Sequence, residues 1–590
     1  MLDAVLRYAK TQGWTSEPGF LRKSVKWAIQ CNVAGELIGV TPLGDGKEGL
    51  TLDRCPHLSQ SELIGGGETR SHFLLESLQT LALLFKSDEE VEVITRTQAK
   101  NRYFIRLLKS AGDVFEDAKT MALMLESTVQ TPKLLETLQA KTPKPKPTDS
   151  AVIFVDGRNP LQSTDWHAWW RAWRRDLGDA SAQRGPVSAK SESSLMRCVF
   201  TGESITPVPT HPKVRGLAGV GGLGTGDVIA GFDKPAFQSF GLNDSRNAAT
   251  SNETATAYAE ALSRLIADHS VKLGDVMAVY WFGRDRTPED DPIHLAIAAS
   301  GAGDGNLATD QHAARRLLQA IKTGERENLL RDEYHTLVLS GMAGRVMVRQ
   351  YLHGRFELLA ENVCAWFDDL AIAHREGKGL AAPPKFMAVI GGLFRELSDA
   401  PAPFITVLWL AAIDRKPVPL AALSSAVMRA QVDVIQNNTP NHARMGLIRA
   451  YHVRNLGDTF MSAYDNPQHP SAAYQCGRLL AVLARLQFAS QGDVGAGVVQ
   501  RYYSAVSQAP ALHLGRIMAN AKNHLNKLDG GLAHWFEGQI SDICGQLGDS
   551  VPRTLSLEEQ SLFALGYYQK LAKLREGRGK TPDVTADTAK

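Results

Sequence analysis

The stretch HPKVRGLAGVGGLGTGDVIAGFD, residues 211–233, decides the fold. It holds six glycines between Gly216 and Gly226, and Gly219-x-Gly221-x-x-Gly224 spells the dinucleotide-binding fingerprint. That fingerprint needs a buried strand before it and a helix opening directly after it. The approach is instead SITPVPTHPKVRG, whose Pro207, Pro209 and Pro212 do not suit a central parallel strand. The exit, DVIAGFDKPAF, alternates like a short strand and then meets Pro235. The loop also lacks the Gly-Lys-Ser/Thr of a phosphate-binding P-loop. A nucleotide cofactor is therefore not expected, and the chain reads as α+β rather than as a doubly wound sheet.

Two readings of the glycines stay open. One is a flexible surface loop. The other is a backbone that must approach a flat partner closely, because glycine lacks Cβ and can aim its amides at phosphates or a base edge. His211, Lys213 and Arg215 stand just upstream and supply charge for phosphates. The candidate contacts are Lys213, Arg215 and the glycines Gly216, Gly219, Gly221, Gly222, Gly224 and Gly226. A second loop, IGGGETRSHFLL (64–75), puts Gly65, Gly66, Gly67 and Arg70 before an expected helix at 72–85. Ser71 could cap that helix, so the loop reads as a capped turn or as an anion site. Arg22 and Lys23 are outside candidates, equally readable as surface charges beside a hairpin.

Working outward, WAIQCNVAGELIGVTPL reads as a hairpin, and AVIFVDG (151–157) and DVMAVYWFG (275–283) as buried strands. ETATAYAEALSRLIADH reads as a helix. KTPKPKPTD (141–149), with proline at every second position, is a linker or long exposed loop. DWHAWWRAWRRDLG (165–178) places four tryptophans on one helical side, interleaved with arginines. Such a face is more often core or subunit interface than a base-stacking surface. From about 308 to 575 amphipathic helices dominate. The expected regions are 1–140 mixed α+β, 141–149 linker or loop, 150–305 α+β with the glycine-rich loop, 306–460 helical, 461–575 a C-terminal helical bundle, and 576–590 a disordered tail.

The chain has 590 residues, 44% hydrophobic and 22% charged, the composition of an ordinary multi-domain globular protein. Lys plus Arg number 65 against 63 acids, so any nucleic-acid binding must come from local patches rather than net charge. The six cysteines are scattered without a C-x-x-C pair, which fits reduced core residues and gives no zinc or redox motif. The best uncharged apolar run, FITVLWLAAI (404–413), is half the length of a membrane helix. No catalytic or metal-ligand spacing emerges, and His211 with Asp233 has no spacing that marks an acid/base pair. The expectation is a cytoplasmic protein that is not an enzyme and needs neither metal nor cofactor.

Ordered segments resemble one family, the large subunit of the type I-C CRISPR surveillance complex (Cascade). They are RCVFTGE (197–203), HPKVRGLAG, VIAGFDKPAFQSFG (228–241), NAATSNETATAYAEALSRLI and LGDVMAVYWFG. They continue through YHTLVLSGMAGRVMVRQYLHGRFELLAENVCAWFDDLAI (334–372) to LSLEEQSLFALGYYQK. The glycine loop departs from the family's usual Gly-Ala-Gln-Ser-Ser-Gly-Ala. The resemblance implies a DNA-binding subunit that recognises the protospacer-adjacent motif (PAM), promotes duplex opening into an R-loop and offers a platform to a helicase-nuclease. Its implied partners are double-stranded target DNA, the displaced single strand, a guide-RNA complex with backbone and guide-end-capping subunits, a small subunit and the helicase-nuclease. It also implies that residues 461–575 resemble the small subunit and can be made separately, with Met461 or Met445 as candidate internal start. Arg478, Arg485, Arg501, Arg516, Lys522 and Lys527 would then line a single strand or form an ordinary solvated face. The competing classes are a nuclease, which would need clustered carboxylates and a metal, and a protein scaffold without DNA readout.

Overall fold

A computed structural model describes residues 1–14, 17–44, 49–58, 62–63, 68–183, 195–284, 286–297, 304–323, 325–326, 329, 332–436, 440–492, 494 and 497–576. They form two compact units. The first comprises Met1–Ala218, Gly222–Asp268 and Gly341–Val346; the second comprises Gly219–Gly221, His269–Ser340 and Met347–Lys590. Gly65, Gly66, Gly67 and the tail from 577 lie outside the described residues.

The first unit opens with α1 (Leu2–Thr11) and is built on the four-stranded sheet β3-β2-β6-β5. β2 (Trp27–Cys31) and β3 (Leu37–Pro42) form the expected antiparallel hairpin. β6 (Ser150–Val155) runs parallel to β2, and β5 (Leu75–Ser77) antiparallel to β6. β2 and β6 are almost continuously buried, as strands covered on both faces must be. Because β6 is central, 141–149 is a loop inside this unit. β1 (Phe20–Val25) and β4 (Leu50–Pro56) form a separate ribbon with an irregularity between Leu21 and Lys23.

The helix expected at 72–85 is not there. The run instead makes β5 and then a single turn, α2 (Leu78–Leu81), capped by Ser77 rather than Ser71. Leu74 and Leu83 have φ of +58° and +51°, which breaks a helix at both places. Helices α3 (Val91–Ala111), α4 (Glu116–Glu126), α5 (Gln130–Gln139) and α6 (His167–Gln183) follow. The tryptophan face of α6 is core. Trp166 and Trp170 are fully buried, and their indole N–H groups bond Pro160 O (3.0 Å) and Gly19 O (2.7 Å). The interleaved Arg171 pairs with Glu17, and Arg174 with Glu62. A two-residue ribbon, β7 (Met196–Arg197) with β8 (Ser204–Ile205), and α7 (Asn252–Asp268) complete the unit.

The second unit corrects the all-helical expectation for 306–460. β9 (Ser270–Leu273), β10 (Val276–Phe282), β11 (Glu333–Met342) and β12 (Arg345–Arg355) form an antiparallel sheet, the hairpin tip Gly341–Val346 belonging to the first unit. Val276, Ala278 and Phe282 join a large core with Phe356, Trp366, Trp409 and neighbouring helices. Those helices are α8 (Pro292–Ile297), α9 (Asp304–Lys322), α10 (Phe356–Leu370), α11 (Phe386–Gly391), α12 (Ala402–Ile413), α13 (Leu420–Ile435) and α14 (His442–Asn455). The C-terminal helices are α15 (Ala472–Gln491), α16 (Val498–Gln508), α17 (Pro510–Leu525), α18 (Gly530–Leu547) and α19 (Leu557–Lys573), with a core of their own. α15 and α19 touch backbone to backbone. A Cβ on Gly477 would overlap Phe563 O, and one on Gly566 would overlap Tyr474 O. The same joint holds a buried ion cluster in which Arg478 (Nε–Oδ1 2.7 Å) and Lys570 (3.7 Å) flank Asp465.

Candidate nucleic-acid interface

The glycine loop is tied at its neck. Val214 and Asp227 exchange both backbone hydrogen bonds at 2.8 Å. Asp227 is fully buried, and its carboxylate accepts from Leu223 N–H at 3.1 and 3.2 Å. Gly222 donates to Leu217 O (2.9 Å), and Gly226 to Leu223 O (3.0 Å). Three glycines serve this self-packing. A Cβ on Gly216 would lie 2.5 Å from Ile266 Cγ2, one on Gly222 would strike Asp227, and one on Gly226 would lie 2.9 Å from Val214 O. Gly219, Gly221 and Gly224 are exposed, as is Gly216, and nothing lies within 4 Å of a Cβ at Gly224. The loop is thus a braced element with an open glycine rim.

The cations upstream of the loop diverge. Lys213 is exposed. Arg215 is half-buried, its backbone N–H bound to Ser263 Oγ at 3.0 Å. It faces Lys23 from β1, and the two charges repel. Burial and then Arg215 push the Lys23 amine down to about 8, with Glu76 opposing and Lys100 adding. Neither Lys23 nor Arg215 has an ion-pair partner among the described residues. Glu260 on α7 does not neutralise the recess. Burial raises its carboxyl to about 8, outweighing the pull of Arg215, and Oε1 has no hydrogen-bond partner.

Two histidines complete the recess. His57 and His72 stack at 4.6 Å, and burial together with Lys23 holds both well below the usual imidazole range. They are neutral at physiological pH. His72 Nδ1 accepts from Leu58 N–H at 3.0 Å, which places its proton on Nε2; His57 Nδ1 is buried without a partner. Lys23, His57, His72 and Arg215 all keep partial solvent contact. A half-open recess with unpaired cations, a protonated acid and neutral ring donors suits an anion, and phosphate is the natural one.

Other sequence candidates lie elsewhere. Arg22 pairs with Asp268 (3.1 Å) and Asp53 (3.6 Å). Arg70 is buried and donates to Glu62 O at 2.7 Å. His211 bonds Tyr258 OH (2.6 Å) and Ala248 O (3.2 Å), whereas Asp233 pairs with Arg345, so the two form no acid/base pair. Arg478 is spent on Asp465, while Arg501, Arg516, Lys522 and Lys527 are exposed. His57, Lys100 and Glu260 carry no sequence signal; the fold alone gathers them around Lys23 and Arg215. Among the described residues no group of His, Cys, Asp or Glu is arranged to hold a metal, and no helix is long and apolar enough to cross a membrane.

No curated relative matches the chain. A family model described as CRISPR-associated protein (Cas_Csd1) matches residues 4–575, a span that takes in both units, the glycine loop and the basic recess. On that match the chain belongs to the Cas_Csd1 family of CRISPR-associated proteins.

Proposed function

We propose that the chain is the DNA-binding large subunit of a type I-C Cascade, acting in the cytoplasm without catalysis of its own. It recognises the PAM, promotes opening of the target duplex and offers a platform to the helicase-nuclease. The observation that carries this reading is the recess where Lys23 and Arg215 stand unpaired beside the neutral His57–His72 stack. The physical logic is delegation: base pairing with the guide reads most of the target, so protein need only hold backbone and read a short duplex element. The recess supplies phosphate contacts, Lys213 adds an exposed one, and the rim glycines Gly219, Gly221 and Gly224 admit close approach to a groove. The partners are the target duplex, the displaced strand, the guide-RNA complex with its backbone and guide-end-capping subunits, the small subunit and the helicase-nuclease.

The test is a mobility shift with the guide-RNA complex assembled with and without this chain, on duplexes differing only in the base pairs flanking the target. Tight binding should require both the chain and one flanking sequence. Equal binding without the chain would leave only a scaffold role. The separately made C-terminal product starts at Met461 in this reading. That residue precedes α15 and the whole bundle core, whereas Met445 lies within α14, which a start there would split. Changing the Met461 codon should abolish a second, smaller polypeptide from the native gene.

A further inference from the structure

Ser239–Leu242 is a tight turn closed by Leu242 N–H donating to Ser239 O at 3.0 Å. Its central residues, Phe240 (φ +54°) and Gly241 (φ +69°), are both left-handed, the φ pattern of a type I′ turn. Gly, Asn and Asp suit the first central position; phenylalanine there is strained. Yet this ring is 98% exposed. The strained turn is held firmly. Asn247 Oδ1 accepts from Ser239 N–H (2.9 Å), and its Nδ2 donates to Leu242 O (2.8 Å) and Asp244 O (2.9 Å). Three bonds staple the following segment to the one that delivers Lys213: Ser245 Oγ to Pro209 O (2.9 Å), Val208 N–H to Thr250 O (3.0 Å), and the His211 ring to Ala248 O (3.2 Å).

A protein-docking site presents a contiguous apolar patch. Phe240 is flanked in the chain by exposed Ser239, Gly241, Asn243 and Asp244, and the partly exposed Phe237 is covered on one face by the Arg345 guanidinium at 4.2 Å. A ring that projects this far suits one flat partner, and every base offers a π-face. Resting on the DNA-binding reading above, we propose that Phe240 stacks on an unpaired nucleobase of the bound DNA where the duplex opens. Having no hydrogen-bonding group, the ring would hold any base there.

The test uses the full chain in its guide-RNA complex and two probes: a fully paired target duplex, and the same duplex with one unpaired base beside the flanking element. Phe240→Ala should bind the paired probe like wild type and lose about tenfold on the unpaired-base probe, with Phe240→Trp restoring it. Its thermal midpoint should be no lower than wild type, since the ring makes no core contact. Stacking is overturned if Phe240→Ala binds both probes like wild type, or loses equally on both. It is likewise overturned if the variant keeps both affinities but sheds a protein subunit on gel filtration. If wild type binds neither probe, the DNA-binding reading fails and takes the stacking with it.

Discussion

A lysine amine held near 8 would make an anion contact that pH can switch off. Phosphate beside Lys23 would favour its proton, so DNA affinity should fall as pH rises from about 7.5 to 9. Lys23→Met should flatten that fall, which fluorescence anisotropy across the range would show. Stability responds in two windows. The folded Lys23 holds fewer protons than the unfolded one between about 8 and its ordinary 10.5, so it adds stability as pH rises there. Glu260 is the reverse. Raised from 4.5 to about 8, it holds more protons when folded, and its contribution is lost as pH rises through that window. Glu260→Gln should flatten the thermal midpoint between pH 5 and 8, and an unchanged profile would refute the assignment. The braced loop gives a paired test. Gly222→Ala meets Asp227 and should cost about 1–3 kcal/mol in urea unfolding, while Gly224→Ala, with open space around it, should cost less than about 0.5 kcal/mol. At this scale Lys213 and Arg215 stand out in the sequence because charge beside a glycine loop is a local signal, whereas Lys23 reads equally as a surface charge beside a hairpin. His57, Lys100 and Glu260 were not, because only the fold makes them neighbours.

The elements were legible where periodicity was clean. The β2–β3 hairpin, β6, β10 and α7 all read directly from alternation or a helical stripe. HFLLESLQTLALLF reads as a helix because its apolar positions recur every three or four residues, but the structure buries Phe73, Leu74, Leu75, Leu78, Leu81, Ala82 and Leu84 together, so that spacing does not mark a single helical face. The β11–β12 hairpin lies within the run expected to be helical. Alternation is only approximate in YHTLVLSGMAGRVMVRQYLHG, but Ala343 (φ +49°) and Gly344 (φ +82°) form a hairpin turn that the strongly helical flanks mask. The α15–α19 contact gives the strongest element-scale prediction. Gly477→Ala or Gly566→Ala drives a methyl into the facing helix backbone, so either should cost about 3 kcal/mol or more, read as a lower urea midpoint. Ala substitutions at the exposed Gly538 or Gly545 of α18, which have open space, should not.

For the whole molecule, a net charge of only +2 means that any DNA affinity is local. Plotted as log affinity against log salt, binding should be linear, and removing Lys213 or Arg215 should shallow the slope by about 0.9 per lost phosphate contact. An unchanged slope with either variant would remove that residue from the interface. The domain-scale outline, mixed α+β giving way to helices, was legible from composition and period. The assignment of Gly219–Gly221 and Gly341–Val346 to the other unit than their flanks was not, because composition does not shift there. The α15–α19 joint also orders events during synthesis. Its two halves are the first and last helices of the C-terminal bundle, so a ribosome that has delivered α15 has delivered half a clasp. Until α19 emerges, the groove around Gly477 stays open and Asp465 lacks Lys570. A nascent chain stalled between them should expose the α15 face that α19 covers, which limited proteolysis of a stalled chain would read as cleavage around Gly477.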